Sequence, residues 1–159
     1  MYKILSLAAI ALLFTSCTSK NSAFRYFEKS DLEAKGPKYT KKADIIKNDE
    51  VDTTFFATYL NKVEKNFVDE NYENFLVYTY FSNQNNQDLE ENGFTLNLDE
   101  NEPLEFEEIE RDSEKFKDLM LKNYWGKYYF VKYNRSQKTN FNLILQKDVS
   151  NKAILNFAK

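Results

Sequence analysis

Phe75-Leu76-Val77-Tyr78-Thr79-Tyr80-Phe81 decides the fold. These seven residues are aromatic or β-branched apart from Leu76, and they contain no charge, Gly or Pro. That composition suits a strand packed in a sheet far better than a helix. Upstream, Val51, Thr53, Phe55, Ala57 and Tyr59 mark one face of a second strand, and Phe56, Thr58 and Leu60 make its other face nearly as apolar. Apolar residues on both faces predict a central position in a sheet.

Working outward, period two recurs in most segments. Tyr39, Lys41, Ala43 and Ile45 alternate with polar neighbours, and Asn48-Asp49-Glu50 forms a polar turn. Lys62–Asn74 reads as a polar connection anchored by Phe67 and Tyr72, and Ser82–Asn92 as a solvated loop. Phe94, Leu96 and Leu98 predict a short strand, with Leu104 and Phe106 as its hairpin partner beyond the turn at Asp99–Pro103. Glu110–Leu121 reads as a helix or an irregular crossover. Strands are expected over Lys127–Tyr133, Thr139–Gln146 and Ala153–Phe157. A short helix is expected at Phe24–Gly36, capped by Ser22 and stopped by Gly36-Pro37.

About eight short strands with turns every 8–12 residues, and no βαβ spacing, predict a mainly β fold. The expected architecture is an antiparallel sandwich of immunoglobulin-like type with a short N-terminal helix. A small closed barrel has a similar pattern and stays open as an alternative. A length of 159 residues fits one such domain, over 24–159.

Composition removes whole classes of chemistry. The chain has no His, so Ser-His-Asp and Cys-His catalysis are excluded, as are the His-containing zinc sites. One Cys allows neither an internal disulfide nor a Cys-rich metal cluster. Gly-rich phosphate loops and Ser-x-x-Lys are both missing. Carboxylates are plentiful, but none is marked as a catalytic pair, so no enzyme activity and no cofactor are expected.

The first seventeen residues carry an address. Met1-Tyr2-Lys3 is a short positive segment, and Ile4–Phe14 is an apolar run of eleven residues. As a helix the run spans about 16 Å, roughly half of a ~30 Å hydrocarbon core, so a cleaved signal suits it better than a membrane span. The run closes on Leu13-Phe14-Thr15-Ser16-Cys17. This resembles the lipobox of bacterial lipoproteins, Leu-(Ala/Ser/Thr)-(Gly/Ala/Ser)-Cys. Thr15, Ser16 and Cys17 match position by position, and Phe14 stands where Leu is usual.

The resemblance implies a signal peptide over 1–16, lipidation of Cys17, and a lipidated Cys with its tether over 17–23. Several acyl chains together give stable membrane anchoring. Thr18 after the Cys, by resemblance to envelope sorting rules, implies the outer membrane facing the periplasm. The tether reaches at most about 20 Å.

Charge is segregated along the chain. Asp88–Asp118 carries thirteen acids against Arg111, Lys115 and Lys117, whereas Met120–Lys159 carries eight bases against Asp148 alone. Neighbouring strands are expected to neutralise these segments across a sheet. The turn Asp99-Glu100-Asn101-Glu102 offers oxygen ligands but lacks the spacing of an EF-hand loop, so no metal site is expected. An acidic protein in this compartment has no expected nucleic-acid partner.

One cluster stands out for binding: Tyr124-Trp125-Gly126-Lys127-Tyr128-Tyr129-Phe130. An exposed Trp/Tyr platform stacks on sugar rings or anchors a protein interface. Trp125, Tyr128 and Tyr129 are therefore the candidate binding residues. The expectation is a membrane-anchored, non-catalytic envelope protein that meets another envelope protein, with glycan binding as the alternative.

Overall fold

The computed structural model describes residues 31–159. Among the described residues, eight strands form two antiparallel sheets, so the fold is a mainly β sandwich and not a barrel. The strands are β1 (Thr40–Lys47), β2 (Glu50–Tyr59), β3 (Tyr72–Phe81), β4 (Thr95–Leu98), β5 (Glu105–Ile109), β6 (Lys127–Asn134), β7 (Asn140–Gln146) and β8 (Lys152–Ala158). The larger sheet has the order β1-β2-β3-β6-β5, and the smaller β4-β7-β8. Of the expected N-terminal helix, residues 24–30 and the cap at Ser22 lie outside the described residues, as does Cys17. Its described end is a short helix, α1 (Asp31–Lys35), which gives way to a 3-10 turn over Gly36–Tyr39.

The strand order follows an immunoglobulin-like arrangement with one strand inserted, which reverses the direction of β6 and β5 relative to β2. Without β3, the order β1-β2-β6-β5 over β4-β7-β8 is that of strands A-B-E-D over C-F-G. β3 is antiparallel to both β2 and β6, so those two run parallel to each other. The β1–β2 hairpin turns on Asn48 and Asp49, both with positive φ (52° and 63°), the conformation that two-residue hairpin loops use to match strand twist.

Between the sheets lies the main core. Phe75 and Tyr59 of the larger sheet pack against Phe141 and Phe157 of the smaller, with ring centroids 5.2–6.2 Å apart. The outer face of the larger sheet is buried too. Leu76, Tyr78, Tyr128 and Phe130 form a second cluster there with Leu60, Phe67 and Phe116. Two irregular segments supply this cover: 60–68, with its two 3-10 turns, and the crossover after β5 that carries Phe116. Hence β2, β3 and β6 are apolar on both faces, as their sequences require. The smaller sheet shows plain alternation: Ala153, Leu155 and Phe157 are buried, while Lys152, Ile154 and Asn156 face out.

One expectation is corrected. Leu104 and Phe106 do not form a hairpin with Phe94–Leu98; β5 crosses to the other sheet and pairs with β6, Phe106 opposite Val131. The cause lies at the turn and in charge. Leu98 and Asn101 exchange both backbone bonds, and Asp99 takes φ 53°, which ends β4 and redirects the chain. The acidic β5 then finds lysines on β6: Lys132 pairs with Glu105 and Lys127 with Glu108. Phe106 stacks on Tyr129 at 4.8 Å, and Leu104 is left exposed.

Candidate binding surface

The three residues singled out for binding fall into different environments. Trp125 is 68% exposed and its neighbour Tyr124 82%. Tyr128 and Tyr129, by contrast, are buried at 4% and 1%. Both faces of β6 are covered, so neither ring reaches solvent, and the expectation that they line a binding surface is corrected. Tyr128 belongs to the outer cluster, where its hydroxyl accepts the Leu121 N–H. Tyr129 belongs to the main core, where its hydroxyl accepts the Leu89 N–H at 3.0 Å. Burial pushes each hydroxyl up to about 12.

Other residues take their places beside Trp125. Tyr80, at the end of β3, lies 6.0 Å from the Trp125 ring, centroid to centroid. The Arg111 guanidinium lies over the Tyr124 ring at 5.1 Å. The surface is thus an exposed Tyr124–Trp125 pair flanked by Tyr80 and Arg111.

The loop that presents this pair is pinned from beneath. Asn123 Oδ1 accepts the Tyr78 hydroxyl at 3.0 Å, and burial raises the ionisation of that hydroxyl above the ordinary tyrosine range. Arg111 donates to the Gly126 carbonyl at 2.8 Å and to the Asn123 carbonyl at 3.5 Å. Gly126 is buried against β3; a Cβ there would come within 2.1 Å of the Thr79 carbonyl oxygen and 2.6 Å of the Tyr78 ring. Only glycine permits so close an approach. A loop held at Asn123, Gly126 and Arg111 offers its two rings with little conformational freedom left to lose on binding.

Arg111 and Tyr80 escaped the sequence reading because only tertiary packing brings Arg111 to Tyr124 and Tyr80 to Trp125. Asn123 lies two residues from Trp125, but its partner Tyr78 is distant in the chain. Gly126 had a usable cue: it is one of three glycines in the chain and interrupts a run of aromatics.

The acidic turn has a structural task. Asp99 Oδ1 accepts the Asn142 N–H at 2.9 Å, and Asp99 Oδ2 meets Lys138 Nζ at 2.9 Å. Partial burial opposes its charge, but the bonds from Lys138 and Asn142 outweigh it and hold the carboxyl below the usual range. Among the described residues, no three acidic or Cys side chains are grouped to hold a metal ion.

A buried acid was missed altogether. Glu73 is 1% exposed and accepts bonds from the Tyr59 hydroxyl and the Ser136 N–H, and its Oε1 lies 2.9 Å from Lys159 Nζ. This cluster ties β3 to the residue that follows β8 and serves the fold. The chain matches no family model, no curated protein and no solved structure.

Proposed function

We propose that this is a lipid-anchored cell-envelope protein with a non-catalytic role in protein interaction or assembly, held at the membrane through Cys17 and facing the periplasm from the outer membrane. The observation that carries the interaction role is the exposed, pinned Tyr124–Trp125 pair beside Arg111. Trp, Tyr and Arg are the residue types that dominate interface energetics, and rigid presentation lowers the entropy lost on docking. The lipobox-like Thr15-Ser16-Cys17 supports the anchor.

The test is cross-linking in intact cells, comparing wild type with Cys17→Ser and Trp125→Ala. A discrete envelope protein captured by wild type, and lost with either substitution, is the expected result. Capture that is indifferent to Trp125 overturns the assignment of the surface.

A second reading is a glycan-binding module, favoured by the same exposure of Trp125 and Tyr124, since flat aromatic rings stack on sugars. It requires retention of the protein on insoluble peptidoglycan or surface glycan, with retention lost in Trp125→Ala.

A further inference from the structure

Beside the aromatic pair lies a hollow of about 250 Å³ whose lining includes Arg111, Lys117, Lys122, Leu121 and Tyr124. None of its lining residues carries a carboxylate. That is unexpected in a segment with acids at Glu105, Glu107, Glu108, Glu110, Asp112, Glu114 and Asp118. Glu108, Glu110 and Asp112 instead line a neighbouring hollow that shares Arg111. Two of the five Arg111 N–H groups are used on the carbonyls of Gly126 and Asn123, which leaves about three to meet a ligand. Lys117 holds Glu114 in an exposed pair, an interaction weak enough for a better-placed carboxylate to replace. Leu121, itself exposed, gives the hollow an apolar rim.

From this complementarity we infer that the partner presents an acidic segment. Its carboxylates enter the hollow between Arg111, Lys117 and Lys122, while a neighbouring apolar side chain packs on Tyr124 and Trp125. The inference rests on the protein-interaction reading and adds the chemistry of the partner. Opposite charge steers the encounter and sets the register, and the aromatics hold the docked segment.

Trp125 is the sole tryptophan of the chain, so emission excited selectively from tryptophan reports on this surface. The full-length protein in detergent micelles is titrated with a synthetic peptide of glutamate interspersed with leucine, and separately with its lysine-leucine counterpart. The acidic peptide should change Trp125 emission to saturation and the basic one should not. Raised salt should weaken the response, because exposed charges are screened.

In the double variant Lys117→Glu/Lys122→Glu, affinity for the acidic peptide should fall about tenfold or more. Both lysines are exposed, so the fold should be retained. Equal response to the two peptides, or an undiminished response in the double variant, overturns the inference. So does saturation by a uronic-acid oligosaccharide with no response to peptide, which hands the surface to glycans. The two readings fail separately. Trp125-dependent capture in cells that survives the double reversal leaves the interaction role standing and removes the acidic segment. Capture indifferent to Trp125 removes the interaction role itself.

Discussion

At residue 126 a single missing Cβ decides whether the aromatic pair exists as a surface. Gly126→Ala places a methyl against the Thr79 carbonyl and the Tyr78 ring, so the loop must lift off β3. A cost above about 1–3 kcal/mol is expected, the usual scale for overpacking, together with greater quenching of Trp125 by a soluble quencher. Trp125→Ala, at an exposed position, should change stability by no more than about 0.5 kcal/mol. Urea unfolding of the two variants separates these outcomes, and equal midpoints would refute the account of Gly126. Glu73 is the other residue on which much depends. Lys159→Met strips its counter-ion and leaves a buried carboxylate bonded only to Tyr59 and Ser136. A loss of about 3 kcal/mol is expected. An unchanged urea midpoint would mean that Lys159 does not neutralise Glu73 in solution.

Among the elements, β5 owes its place both to Phe106 and to charge pairing along its length. Phe106 anchors it on Tyr129, and Glu105 and Glu108 meet Lys132 and Lys127 across the pairing with β6. Lys132→Glu should loosen this edge, and the added Glu105→Lys should restore it. The coupling expected from a double-mutant cycle is about 0.2–1 kcal/mol, since both side chains keep some solvent contact. Hydrogen exchange at β5 amides reads the local effect, and failure of the second change to restore protection would sink the charge-pairing explanation. The same pairing explains why the acidic stretch did not become a loop of its own. It was legible as an acidic segment expected to meet the basic C-terminal part, but its strand partner was not. Alternation in Leu104 and Phe106 is compatible with either sheet, and only the lysines of β6 and the turn at Asp99 decide between them.

For the whole molecule, stability should fall off on both sides of neutrality. The Glu91 N–H, with help from Lys127, holds the Asp88 carboxyl below its ordinary range despite some burial. A group lowered in the folded state stabilises above its unfolded value of about 4, and that contribution is lost as pH falls further. Asp88→Asn should flatten the acid limb of a thermal-melting profile. On the alkaline side, Tyr128 and Tyr129 are raised by burial to about 12 from about 10 in the unfolded chain. Their contribution is complete below about pH 10 and disappears as pH climbs towards 12. Tyrosinate absorbance should therefore show a late stage, in which the buried Tyr128 and Tyr129 ionise together with unfolding. A single early rise accounting for all tyrosines would contradict the burial of β6.

Local pattern alone determined the strands and the mainly β class, whereas the choice of a sandwich over a small barrel needed the tertiary structure. Alternation is a property of neighbouring residues, and a strand with two apolar faces must lie inside whatever sheet it joins. The central place of β2 and the neutralisation of acidic by basic segments followed from the same local information. Which aromatics would be buried did not. Tyr124 and Trp125 are no less apolar in sequence than Tyr128 and Tyr129, yet one pair is exposed and the other is core. That choice belongs to tertiary structure, because burial depends on what covers a face. The outer face of β6, with Tyr128, is covered by Phe67 and Phe116 from separate irregular segments, and the inner face, with Tyr129, by the main core between the sheets. The same holds for the contacts of Arg111 with Tyr124 and of Asn123 with Tyr78, which form only once Gly126 lets the loop rest on β3.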